Sequence, residues 1–173
     1  MGIARNNVLA MAALAMSVCG DASGAEKYAW YGWRMTPTDY AIVHGIAKDP
    51  TENDFYLVCG GESGTIELSV RAVNSGGYKS DAAGAPEVTT TFVFAKERHR
   101  KSALVGPSEM LGGVSIRYVF DRDRFVRGDD PILAAIARGN PFRIELPKTK
   151  TQRFSPKAVQ PLFVAMKAFC KAN

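Results

Sequence analysis

Cys59 and Cys170 stand far apart in this chain, and any fold open to it must bring that pair to terms. A third cysteine, Cys19, falls inside a leader. Arg5 supplies its positive start, residues 8–18 (VLAMAALAMSV) an apolar stretch, and Ser23, Gly24 and Ala25 a small-residue cleavage site before Glu26. A membrane span needs about 20 apolar residues; this run is about half that before Gly20 and Asp21 interrupt it, so residues 1–25 read as a cleaved export signal. Val18 before Cys19 does not suit a lipoprotein, whose lipid-bearing cysteine follows a small residue. Residues 26–173 then form a single exported domain, soluble in the periplasm or outside the cell, with two cysteines that an oxidising compartment joins as a disulfide. Neither cysteine has a C-x-x-C partner or a nearby histidine, so the pair is structural rather than catalytic. Closing a loop of about 100 residues stabilises a fold by about 4 to 5 kcal/mol in the chain-entropy account, less any strain.

Between the cysteines the chain reads as strands and turns. Residues 55–59 (FYLVC) lead through a glycine-rich turn into residues 65–73 (TIELSVRAV), a hairpin signal. In the second arm Ile66, Leu68 and Val70 alternate with Glu67, Ser69 and Arg71, the pattern of a half-exposed antiparallel strand. Residues 39–47, 87–95, 113–120 and 142–146 are further strand candidates, and Tyr28, Trp30, Tyr31 and Trp33 fit an edge strand with one aromatic face in the core. Asp129 or Asp130 caps a short helix with Pro131 in its first turn and Gly139 at its end. A second helix starts near Pro161 and puts Leu162, Met166, Phe169 and Cys170 on one face, turning Cys170 inward. With 46% hydrophobic residues and nine Phe, the 173-residue chain can fill a core without a metal. The expected fold is mainly β, in the α+β sense: an antiparallel sheet or β-sandwich with a short internal helix and a C-terminal helix.

Candidate chemistry is sparse. The two histidines, His44 and His99, have neither H-x-x-x-H nor H-E-x-x-H spacing, so no metal site and no cofactor are expected. His44 shares a strand with Tyr40, Ile42 and Ile46 and reads as a packed or edge side chain. His99 lies in residues 96–101 (KERHRK), a charge run expected to be solvated, where neighbouring cations make it a poor base. No G-x-S-x-G occurs; Ser63 sits in a hairpin loop and Ser108 in Gly106-Pro107-Ser108-Glu109. Asp121 and Asp123 alternate with Arg122 and Arg124, and Asp129 and Asp130 serve as caps, so neither carboxylate pair reads as an acid and base. The chain is thus read as non-catalytic. The alternative is a periplasmic hydrolase with an unrecognised site, testable at His44 and Asp123.

Two surfaces suit binding instead. Residues 104–113 join two strand candidates and mix Gly, Pro and apolar side chains as a protruding recognition loop does, which nominates Gly106, Pro107, Ser108, Glu109, Met110 and Leu111 for a protein partner, with Met110 and Leu111 exposed. The other is basic: the chain carries a net charge of +5, and Arg122, Arg124 and Lys150 mark segments where positive charge collects. In an exported protein such a surface faces an anionic envelope polymer or an acidic protein rather than nucleic acid, and scattered solvated side chains are the plain alternative.

The order of strand with Cys59, glycine-rich turn, alternating strand, late turn at Phe154-Ser155-Pro156 and apolar helix with Cys170 resembles that of small periplasmic proteins associated with type VI secretion gene clusters. The resemblance spans Phe55 to Cys170 in layout. It implies an envelope accessory or binding protein and carries over no catalytic residue. The function expected is that of an exported binding protein of the cell envelope, either an accessory factor or an inhibitor of the immunity type that blocks a periplasmic enzyme.

Overall fold

The computed structural model describes residues 29–45, 53–60, 64–72, 86–108, 111, 113–147 and 150–172. The leader with Cys19, and also Tyr28, Ile46, Ser63, Glu109 and Met110, lie outside the described residues. Among the described residues nine strands form one sheet: β1 (Ala29–Thr36), β2 (Asp39–Gly45), β3 (Phe55–Gly60), β4 (Thr65–Arg71), β5 (Glu87–Phe94), β6 (Glu97–Pro107), β7 (Val114–Asp121), β8 (Phe142–Glu145) and β9 (Gln152–Phe154). Their order is β1-β2-β3-β4-β7-β6-β5-β8-β9, and every pairing is antiparallel. Of the two architectures expected, the single sheet is the one formed.

The sheet curls until its flanks touch. Phe55 on β3 lies 5.5 Å from the Phe154 ring on β9 and 6.3 Å from Phe142 on β8, although five strands separate β3 from β9 in the sheet. On β1 the Trp30 indole donates its Nε1–H to the Ser155 carbonyl at 3.1 Å. Gln152 on β9 donates its side-chain amide to the Arg71 carbonyl at the end of β4. Inward alternation fills the space: Ile66, Leu68 and Val70 of β4, Ile116 and Tyr118 of β7, and Phe92 of β5 are all fully buried. Aromatic rings in edge and stacked contact dominate this core, which large side chains reach from widely separated strands.

Among the described residues three helices close the fold. α1 (Arg122–Arg127) was not expected. Asp121 caps it by accepting from the Arg124 backbone at 2.7 Å, and Gly128 ends it with φ of 85°, a left-handed conformation that costs glycine little. The Asp–Arg alternation that looked like charged chain is therefore a helix start. α2 (Pro131–Ala137) forms as expected, with Asp130 accepting from Ile132 and Leu133 at 3.0 and 2.9 Å. α3 (Gln160–Ala172) buries Phe163, Met166 and Cys170. Cys59, at 1% exposure, and Cys170, at 3%, form a disulfide with Cα atoms 6.1 Å apart, fastening β3 to α3.

The segment 96–107 departs from expectation. Glu97–Pro107 is one continuous strand rather than a charged run followed by a loop; its charged end is solvated as expected at Lys96, Glu97, Arg98 and Arg100, while the inward positions His99 and Lys101 are half-buried over aromatic rings. His99 lies against Phe94 at 6.0 Å, and the Lys101 ammonium sits 4.4 Å from the Phe120 ring centre. Further along, Ala103 and Val105 enter the core, and Leu104 through Pro107 pair with β7. The expected loop thus begins only at Ser108.

Candidate functional site

The turn from β6 to β7 stands beside an enclosed polar cleft on the outer face. Gly106 pairs with Ser115 and Pro107 with Val114; beyond them the Ser108 amide donates to the Gly113 carbonyl at 2.8 Å. The Ser108 hydroxyl accepts from the Leu111 amide at 3.2 Å. Leu111 is fully buried, packed with Ala41 and Val43 of β2 and Tyr56 of β3. Those are the outward members of strands whose inward members, Ile42, Phe55 and Leu57, enter the main core. β4 stands between β7, where the turn is rooted, and β3, where Leu111 lands, so the chain must cross the outer face of β4.

Beside that crossing lies a cleft of about 190 Å³. Its floor carries the hydroxyls of Ser69 and Ser115, 6% and 4% exposed, and its walls carry Gly106, Pro107 and Ser108. At the rim Arg117 faces Glu67 at 4.0 Å, and Ser69 donates to the same carboxylate at 3.4 Å. On β3 next to this face, burial pushes the Tyr56 phenol well above its ordinary range, and the charges of Asp39 and Glu67 add to the effect. A cleft of hydroxyls with one half-exposed ion pair can donate to and accept from a polar chain segment. The described lining holds serine hydroxyls and the Glu67 carboxylate but no histidine, cysteine or aspartate.

Of the residues nominated for a partner, Gly106, Pro107 and Ser108 line this cleft. Glu109 and Met110 lie outside the described residues. Leu111 corrects the expectation of an exposed apolar pair: it is core, because the outer face of β2 and β3 offers it an apolar seat. Glu67, Ser69, Ser115 and Arg117 were not singled out as a site. The alternation along β4 marked Glu67 and Ser69 as outward, but only the pairing of β4 with β7 puts them beside Ser115 and Arg117.

The basic residues do not converge. Arg122 and Arg124 belong to α1, beyond the Asp121 end of β7, while Lys150 precedes β9, whose Gln152 reaches Arg71 near the opposite end of β7, where Arg71 pairs with Ser115. Arg124 is engaged at the Asp129 carbonyl, 3.1 Å away. The hydrolase candidates are also apart. His44 shares a cross-strand row with Phe55, Val70 and Ile116, four positions from the row of Phe120, beyond which α1 carries Asp123. At 3.3 Å per residue that is about 13 Å along the strands alone. His44 is instead held by Asp54, Nδ1 to Oδ1 at 2.6 Å, with its ring 4.8 Å from Trp30 and 6.0 Å from Phe154. Among the described residues no three His, Cys, Asp or Glu side chains gather as metal ligands, and no helix is long and apolar enough to cross a membrane.

No protein-family model, curated protein or solved structure matches the chain.

Proposed function

We propose that this is a non-catalytic binding protein of the cell envelope, an accessory factor or an immunity-type inhibitor of a periplasmic enzyme, and that its protein partner docks in the cleft between β4, β7 and the turn after β6. One observation carries the reading: the turn after β6, anchored by the buried Leu111, stands over a cleft lined by the hydroxyl-bearing Ser69 and Ser115. Anchoring lowers the entropy lost when a segment docks, so a small polar cleft with fixed walls suits recognition. The Cys59–Cys170 disulfide fits export, since such bonds persist in oxidising compartments. The layout shared with small periplasmic proteins of type VI secretion gene clusters points the same way.

The test is capture from the source organism's envelope fraction with the tagged, disulfide-bonded protein, comparing wild type with Arg117→Glu. Arg117 is half exposed, so the variant should keep its melting temperature while losing about tenfold or more of partner retention. Unchanged retention would remove the cleft as the docking site. The rival hydrolase rests on the short His44–Asp54 hydrogen bond, the geometry of a base and its orienting carboxylate. Turnover by the purified protein that His44→Ala abolishes would replace our reading with that one.

A further inference from the structure

A separate groove runs along the outer face at the other flank of the sheet. Register sets Arg98 of β6 opposite Val93 of β5, Val93 opposite Arg143 of β8, and Arg143 opposite Arg153 of β9. The alternate positions Phe92, Ile144 and Gln152 are buried on the inward side, so this row of three arginines about one valine faces outward. Like charges directly opposed in an antiparallel pair destabilise it unless something offsets them. Glu145 serves two of the three, accepting from Arg98 at 2.5 Å and from Arg143 at 3.1 Å. Among the described residues no carboxylate pairs with Arg153.

Arg143 and Arg153 wall a groove of about 360 Å³ whose apolar floor includes Val93, Pro141 and Phe154. Past Ala95 and Pro141 a second depression of about 350 Å³ continues toward Lys96, Glu97 and Asn140. We propose that this groove binds an acidic segment of another protein in extended form, a carboxylate side chain meeting Arg153 and Arg143 and an apolar side chain two residues on resting over Val93 and Pro141. Two depressions end to end are longer than one small carboxylate needs. Extended chain puts residues i and i+2 on one side, as a basic wall beside an apolar floor requires. Paired guanidinium forks match carboxylates in shape as well as charge. A membrane surface fits less well, because the floor is recessed: Val93 is 3% and Phe154 4% exposed, and the exposed large apolar side chains of the described residues, Trp33, Val119 and Val164, lie elsewhere. The groove stands on β5, β8 and β9, so the inference goes beyond the cleft and does not depend on it.

The probe is a blocked, dye-labelled hexapeptide, Glu-Ser-Leu-Glu-Ser-Leu, beside a version with glutamine for glutamate, read by fluorescence anisotropy against the whole disulfide-bonded protein. Wild type should bind the acidic peptide, less tightly as salt rises, and bind the glutamine peptide at least about tenfold more weakly. Arg153→Gln should weaken binding about tenfold, Arg153→Lys by less, and the charge-matched control Lys171→Gln by under about twofold. Arg117→Glu should leave peptide binding unchanged, so a failure here and a failure of the cleft are told apart. No binding by wild type, equal binding of both peptides, or indifference to both Arg153 variants would overturn the proposal. So would Arg153-dependent binding of phosphatidylglycerol vesicles without binding of the peptide, which would assign the groove to a lipid surface.

Discussion

The two flanks of this sheet treat their outer faces in opposite ways. On β2 and β3 both faces are covered: Ile42, Phe55 and Leu57 point into the curl, while Ala41, Val43 and Tyr56 are buried from outside with Leu111 upon them. Across β6, β5, β8 and β9 the outer row is Arg98, Val93, Arg143 and Arg153, charged apart from one recessed valine. The covered flank is further tied to α3 through Cys59 and Cys170, whereas the bare flank is held by rings, with Phe142 stacked 5.0 Å from Phe154. An antiparallel sheet needs one buried face for stability. Where it buries two, as at β2 and β3, the second cover ties a loop in place; where it leaves one bare, the register is free to line up charge.

Three experiments would break or sharpen that contrast. The largest effect is expected from the covalent tie. Replacing Cys59 and Cys170 by alanine should cost about 2 to 5 kcal/mol in denaturant unfolding, and the native oxidised protein should show no reactive thiol until denatured and reduced. Two free thiols in the native protein would remove the tie from the covered flank.

Next comes the outer cover. Leu111→Ala empties a fully buried site and should cost about 2 to 4 kcal/mol, whereas Arg143→Gln on the bare face should stay within about 0.5 kcal/mol of wild type. Equal, small losses at both would mean that the two faces do not differ.

The smallest effect is a titration. Because burial raises the Tyr56 phenol above its unfolded value of about 10, the folded state favours the neutral form. Its contribution is fully present below pH 10 or so and is lost as pH rises through the folded value, so stability falls in strong base. Absorbance of tyrosinate should show Tyr56 ionising in a late step together with the fully buried Tyr118, Tyr56→Phe should shrink that step, and Leu111→Ala should bring part of it to lower pH. A Tyr56→Phe variant that left this late step unchanged would assign it to another tyrosine.

Much of this contrast is written along the chain, though not all of it in a readable place. FYLVC and AIV are continuous apolar runs, and in an antiparallel sheet such runs mean burial on both faces, so the need for an outer cover was present in β2 and β3. What supplied it was not. Leu111 looked exposed because its neighbours Gly112 and Gly113 carry no pattern, and only a seat two strands away explains it. The strand Glu97–Pro107 was hidden for a related reason: His99 and Lys101 occupy inward positions as shields over rings, and a periodicity count scores them as polar. Asp121 showed itself as a cap only once β7 ended there.

By itself the sequence determined the local choices: the alternating β4, the capped α2, the helix that turns Cys170 inward, and a sheet-forming, aromatic-rich chain. These follow from backbone propensity and period, which act over a few residues. Only the tertiary structure decided which strands became neighbours. The β4–β7 and β5–β8 pairings made the serine cleft and the arginine row, and both join residues from distant segments. Pairing depends on which curl buries the most apolar surface at once, a property of the whole chain that no short window contains.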